Sequence, residues 1–430
     1  MAEPTVQRRW QAACPNCGAP VEFASAASAS AVCSFCRSTL VREGEALRKI
    51  GESAELFDDY SPLQLGSAGR HAGAPFTVVG RLQMVYAEGS WNEWHALFDN
   101  GKSGWLSEDN GSFVFAFDAD LSEAPPQSHE LMLGNALVLA GQSFRVAALT
   151  MAKVGAAQGE LPRPPATGEF LVAELRSTQD EVGTLAYEIE GKPPQWSLGR
   201  AVRLADLALA NLREAEGRTL GSQALPCPNC GAPLQPKLDS SKSIVCPQCS
   251  AVVDLSKGAG ADLAHFAQAQ GRPPQIPLGS VGALPFDKSG TPISWQVVGY
   301  QERCDIPESS DDETTFWHEY LLFNKSEGFV FLVDAEDGWS LVRPLTGTPR
   351  AGAVGDAEWQ GKRFKRGYSY GAKSTYVLGE FYWQLTRGQV VQVTDFDGGD
   401  ALLSREQTGT EISWSAGRKL DAAEVAAAFK

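Results

Sequence analysis

The chain contains the heptapeptide Cys-Pro-Asn-Cys-Gly-Ala-Pro twice, beginning at Cys14 and at Cys227. Each copy is answered by a second Cys-x-x-Cys pair, Cys33/Cys36 and Cys246/Cys249, after fifteen intervening residues. Two such turns on adjacent hairpins bring four thiolates to one point, which is the zinc-ribbon arrangement. Gly18 and Gly231 follow the second cysteine of their pairs, where the turn needs positive φ. Pro15, Pro228 and Pro247 stiffen the turns. The sequence therefore predicts two structural zinc ions, held by Cys14, Cys17, Cys33 and Cys36 and by Cys227, Cys230, Cys246 and Cys249. Four thiolates complete a tetrahedron and leave no open position for metal-assisted chemistry. The Ala/Ser-rich stretch 23–31 reads as a mobile hairpin tip of the first ribbon.

The repeat runs past the cysteines. Leu65-Gly66 and Leu278-Gly279 keep the same offset of 213 residues. Trp91-Asn-Glu93-Trp94 then matches Trp317-His-Glu319-Tyr320, with Trp105/Phe331 and Phe113/Trp339, all at an offset of 226. Phe144 matches Phe364, and Gly168-Glu169-Phe170 is aligned with Gly379-Glu380-Phe381. Leu185 to Glu188 matches Leu403 to Glu406, and Trp196 matches Trp414, at an offset of 218. A repeat of this length sets the architecture. Alternating apolar residues at Phe76, Val78, Leu82, Met84 and Tyr86 read as a half-buried strand, and Trp295 and Val297 begin its counterpart. Segments 43–59 and 259–270 read as linker helices. Leu204 to Leu212 and a helix opened by a capping box at Asp421 to Glu424 close the copies.

The expected fold is mainly β, in two tandem modules. Ribbons at 10–42 and 222–257 head β-sandwich or barrel-like domains at 43–215 and 258–430, each with a linker helix and a terminal helix. A length of 430 residues suits more than one core. The net charge of −15 repels phosphate backbones at long range and disfavours nucleic-acid binding. No apolar run is long enough for a membrane helix, and the N-terminal residues lack the apolar core of a signal peptide, so a cytoplasmic location is expected.

The order of features resembles a bacterial family, domain of unknown function 4178, which often follows a short zinc ribbon. The likeness rests on the two Leu-Gly steps, Trp317 to Tyr320, Gly379 to Trp383, Leu403 to Glu406 and Trp414-Ser415. The second copy fits better; the first has Ala-Tyr in place of Ser404-Arg405. The resemblance names a module without an established activity. It implies a cytoplasmic accessory role in a membrane-associated or polyamine-linked bacterial system.

No catalytic constellation stands out. The five histidines, His71, His95, His129, His265 and His318, form no His-x-x-x-His pair, and no phosphate loop or nucleophile elbow is present. Cys304 is unpaired and reads as a small apolar residue. Glu188/Arg200 and Glu406/Arg418 read as ion pairs between strands, with acid-base work as the alternative. Glu93 and Glu319 sit between aromatics and either cap turns or meet a ligand. Lys362 to Tyr370 is a basic, aromatic stretch that could contact phosphates or RNA bases. The acidic stretch 305–313 reads as a solvated loop. The leading reading is a non-enzymatic scaffold or adaptor that presents its β modules to a protein partner. A nucleic-acid-associated zinc-ribbon protein and an enzyme of unrecognised type are the alternatives.

Overall fold

The computed structural model describes residues 10–430 except 26–27, 44–45, 55–60, 110–111, 214–224, 239–240, 257–262, 287–289, 308 and 310–312. The region 217–221, which the sequence reads as the boundary between the copies, and residues 308 and 310–312 of the acidic stretch 305–313 lie outside the described residues. The chain divides into two compact units. The first holds residues 1–128, 150–173 and 182–222; the second holds 129–149, 174–181 and 223–430. Among the described residues, no helix is long and apolar enough to cross a membrane.

The fold is mainly β, as the alternating patterns require. In the second unit, strands Ile293–Ile306, Phe316–Asn324, Gly328–Ala335 and Gly338–Leu345 form one antiparallel meander. Strands Lys362–Phe381, Val390–Gly398, Ala401–Gln407 and Ile412–Leu420 form another. Gly338–Leu345 pairs with Ile412–Leu420, and Ile293–Ile306 pairs with Lys362–Phe381. Those two seams close eight strands into a barrel. The first repeat has the same order: Ala74–Tyr86, Gly89–Phe98, Ser103–Asp109 and Ser112–Asp118, then Gln142–Leu161, Glu169–Ser177, Glu181–Ala186 and Gln195–Val202. Its seams are Ser112–Asp118 with Gln195–Val202 and Ala74–Tyr86 with Gln142–Leu161.

The register confirms that the repeat is real. Phe113 lies opposite Val202, and Trp339 lies opposite Leu420. The offsets of 226 and 218, found on separate segments, thus meet in one pair of strands. The Gly-Glu-Phe alignment, by contrast, was misplaced. Gly379 pairs with Gly299, and the residue that pairs with Gly80 is Gly159, not Gly168. The true counterpart of Gly379-Glu380-Phe381 is Gly159-Glu160-Leu161, whose third residue is not aromatic and so hides the match.

These glycine pairs close the barrels. At Gly80 a Cβ would lie 1.8 Å from the Glu160 carbonyl oxygen, and at Gly159 2.2 Å from that of Val79. At Gly379 it would lie 2.2 Å from the Val298 carbonyl oxygen, on a backbone with φ +86°. Side chains on both strands would push the seam apart.

Outside each barrel lies a covered apolar face. Phe76, Val78, Trp94, Ala96, Phe98, Leu106 and Phe115 are packed by Leu63 and Leu207. Trp295, Val297, Tyr320, Leu322, Val330, Leu332 and Leu341 are packed by Ile276 and Val425. Burying each aliphatic plug contributes roughly 1.5–3 kcal/mol. Val425 comes from the helix Ala422–Ala428. Its expected capping box is not made: Asp421 gives no side-chain cap, and the Glu424 carboxylate instead accepts from Arg418 at 2.6 Å. In the first repeat only a 3-10 turn, Leu204–Leu207, forms before Ala208 turns left-handed at φ 47°. The expected longer helix to Leu212 is absent.

The linker helices are corrected as well. Ala46–Glu52 is a strand paired with Ser38–Glu43. Its side chains alternate in exposure, so a period of two overrode the helical spacing of Leu47, Ile50 and Ala54. The described part of 259–270 holds the short strand His265–Phe266 and no helix.

The seam argument fixes a comparison. Gly379→Ala should cost roughly 2–4 kcal/mol in urea unfolding, from left-handed strain plus a backbone clash. Gly361→Ala, also at positive φ (+76°) but with open space around it, should cost only about 1 kcal/mol. Equal losses would remove the close approach as the cause.

Candidate metal centres and barrel interiors

Each Cys-x-x-Cys pair is a tight turn. The Cys14 N–H donates to the Ala19 carbonyl and the Gly18 N–H to the Cys14 carbonyl, both at 2.8 Å. Cys33, Cys227 and Cys246 make the same pair of bonds with Ser38/Arg37, Ala232/Gly231 and Ala251/Ser250. The residue after each second cysteine is left-handed. Gly18 and Gly231 fill that position as the sequence predicted. Arg37 (φ 57°) and Ser250 (φ 57°) fill it in the other turns, a strained choice that the spacing alone did not reveal.

The turns meet in two four-sulfur clusters, Cys14/Cys17/Cys33/Cys36 and Cys227/Cys230/Cys246/Cys249, with all ligand atoms within 4.8 Å of one another. Sγ to Sγ is 3.7 Å for Cys14–Cys36, Cys17–Cys33, Cys227–Cys249 and Cys230–Cys246. That is far beyond a disulfide bond of about 2.05 Å. A tetrahedron with metal–sulfur bonds of about 2.3 Å has edges of about 3.8 Å, so each cluster could hold a metal ion. The Ser38 hydroxyl and Asn16 side chain hold the Cys36 thiol down at about 5. The Asn229 side chain and the Ala251 backbone hold Cys249 down at about 6. At Cys17 and Cys230, a backbone N–H favours the thiolate, but hydrogen bonds with neighbouring sulfurs push the thiol up to about 12. A bound cation would displace these shared protons.

The clusters are built into the barrel sheets. Ser30–Val32 pairs with the end of Gln142–Leu161, and Ser243–Val245 with the end of Lys362–Phe381. Buried Glu380 accepts hydrogen bonds from the Lys237 and Leu238 N–H groups (2.8 and 3.0 Å) and from the Ser241 hydroxyl (2.6 Å). Buried Glu160 accepts from the Ala24 and Ser25 N–H groups. In the stretch 23–31, expected to be a mobile hairpin tip, the described residues on both sides of 26–27 are docked, with Ser28, Ser30 and Ala31 buried.

The barrel interiors carry the paired tryptophan and glutamate. A strand places residues two apart on one face, so the Trp317 indole N–H donates to Glu319 at 2.7 Å and that of Trp91 to Glu93 at 2.8 Å. Neither glutamate caps a turn. Arg303 donates to Glu319 (3.1 Å) and to Glu406 (2.7 Å). Glu406 lies two strands away from Arg303's neighbours in the sheet, so this contact crosses the inside of the barrel. The expected Glu406/Arg418 pair is replaced: Arg418 lies on the outer face with Glu424. Glu188 likewise pairs with Arg163, at 2.7 Å. Cys304 is buried, and burial pushes its thiol up.

In the first barrel Met84 stands opposite Trp91, where Arg303 stands opposite Trp317. Among the described residues, Glu93 meets the Trp91 indole and the Ser107 hydroxyl, at 2.5 Å, and no cation. Burial, opposed by those two hydrogen bonds, pushes its carboxyl up to about 7. A folded-state value above the unfolded one favours the protonated fold. Stability from this group is complete below about 4.5 and is lost as pH rises toward 7. Glu93→Gln should therefore raise the stability of the first unit at pH 8 by roughly 2–3 kcal/mol and leave it nearly unchanged at pH 4.5. Denaturation midpoints at the two pH values check this, and an equal effect at both would refute it.

For the clusters, Cys33→Ser and Cys246→Ser should each lower bound metal by one ion per chain, read by elemental analysis of the purified protein. Unchanged content would overturn the ligand sets.

No curated protein and no solved structure matches this chain. A family model described as a domain of unknown function, DUF4178, matches residues 64–204 and again 293–422. The first span begins ahead of Ala74 and the second at Ile293, the first barrel residue, and each ends just past the last barrel strand, which leaves the sulfur clusters outside the matched segments. Together they cover well over half of the sequence, and the chain belongs to the DUF4178 family as a tandem pair.

Proposed function

We propose that the protein is a non-enzymatic zinc-binding scaffold or adaptor that offers two β modules to a protein partner. The observation that carries this reading is the closure of both clusters. Four sulfurs at tetrahedral spacing leave no coordination position for a substrate. All-thiolate tetrahedra select zinc among abundant divalent ions, so the eight cysteines would be structural ligands of two zinc ions. The sheet pairing between each ribbon strand and its barrel supports a rigid presenting unit rather than a detached finger. The Arg303, Glu319, Glu406 and Trp317 side chains fill the second barrel with their own contacts. On this reading, ribbons at 10–42 and 222–257 head domains 43–215 and 258–430, and the protein works in the cytoplasm.

The test combines metal analysis with partner recovery from the source cell. Two zinc ions per chain are expected, together with one cross-linked protein recovered in constant proportion. Cys14→Ser with Cys227→Ser should reduce both. A chain that carries no zinc, or that enriches RNA in a salt-dependent way and no protein, would overturn the reading.

A further inference from the structure

The outer face of the second barrel carries a group of cations without acidic partners. Ser369, Thr394, Arg405 and Trp414 lie on four adjacent strands and are register partners in turn: Ser369 opposite Thr394, Thr394 opposite Arg405, Arg405 opposite Trp414. The Ser369 and Thr394 hydroxyls are 3.0 Å apart. The Arg366 guanidinium donates to Ser369 Oγ at 3.0 Å. Arg405 donates to Gln407 Oε1 at 2.6 Å. From the same compact unit, Arg145 donates to the Gly134 carbonyl at 2.9 Å.

Among the described residues, none of these three guanidiniums is in an ion pair. Strand alternation explains why. Asp395 and Glu406, the carboxylates beside Thr394 and Arg405, face the other way, where Tyr370 and Arg303 hold them. Asp356 accepts from the backbone N–H of Arg366 and pairs with the guanidinium of Arg363. Arg405 is half-buried, and burial together with the charges of Arg145 and Arg366 depresses its proton affinity. These guanidiniums meet no carboxylate among the described residues, so an anion from outside would find their charge unanswered.

The hydroxyl pair adds a donor. One hydrogen bond joins the two oxygens, so it uses one of their two protons. Arg366 supplies a further proton to Ser369. One hydroxyl proton is therefore left without an acceptor among the described residues.

We infer that Arg366, Ser369, Thr394 and Arg405, with Arg145 beside them, form a binding site for a phosphoryl group, whether free phosphate or a phosphate ester. Guanidinium forks and a hydroxyl match a tetrahedral dianion. Trp414 beside Arg405 gives the site an apolar wall. The inference goes beyond the adaptor reading and does not depend on it.

Calorimetric titration of the full chain with inorganic phosphate tests it, with sodium chloride at equal ionic strength as the reference. Saturable one-site binding is expected, stronger at pH 8 than at pH 5, because phosphate is mainly a dianion at the higher pH and a monoanion at the lower. Arg405→Gln should weaken binding at least tenfold. Arg366→Gln, at an exposed position that spares the fold, should weaken it at least threefold. A phosphoserine peptide that binds more tightly than phosphate assigns the site to a partner's phosphate, and the reverse order assigns it to a small ligand. Heats that match chloride, or unchanged binding by Arg366→Gln and Arg405→Gln alike, would overturn the inference.

Discussion

The contact on which each module depends is the approach of two backbones at a glycine pair, with a glutamate beside it. Gly80 and Gly159, or Gly299 and Gly379, let the first and fifth barrel strands come close enough to seal the sheet. The next residue, Glu160 or Glu380, then turns its carboxylate toward the backbone N–H groups of the ribbon. A buried carboxylate that accepts several N–H bonds is strongly favoured over an unpaired one, and the bonds are charge-assisted. Barrel closure and ribbon docking are thus consecutive residues of one strand. Neither can shift without moving the other.

Within that common frame the two copies differ in what surrounds the interior glutamate. Arg303 in the second barrel answers two carboxylates, whereas Met84 in the first leaves Glu93 with neutral donors. A buried charge must be paired or neutralised. The second barrel pairs it with Arg303, and the first favours the protonated form. The same backbone therefore carries a charge network in one copy and a pH-sensitive acid in the other.

Much of this was legible in the sequence. The cysteine spacing located both sulfur clusters, and the offsets of 226 and 218 located strands that turned out to be hydrogen-bonded neighbours. The Trp-x-Glu pairs were visible, though their role was not, because which face of a strand points inward depends on closure. Among the readings that failed, three show the physical reason most directly. Ala46–Glu52 has residues compatible with a helix, but pairing with the ribbon hairpin decided its state. Glu188 found Arg163 on a loop, and Glu406 found Arg303 across the barrel. The Gly-Glu step of the first copy was overlooked because Leu161 lacks the aromatic ring of Phe381, while Gly168-Glu169-Phe170 offered a decoy nine residues on.

A closed barrel has no free strand edges, yet Lys362–Phe381 is longer than the ring requires. Its end pairs with the ribbon strand Ser243–Val245, and Gln142–Leu161 uses Ser30–Val32 in the same way. The ribbon thus serves as an edge guard. If the sulfur cluster holds an ion, its loss would free the N–H and C=O groups at that strand's end, a template for another chain. Concentration-dependent self-association would then come before any unfolding of the barrel.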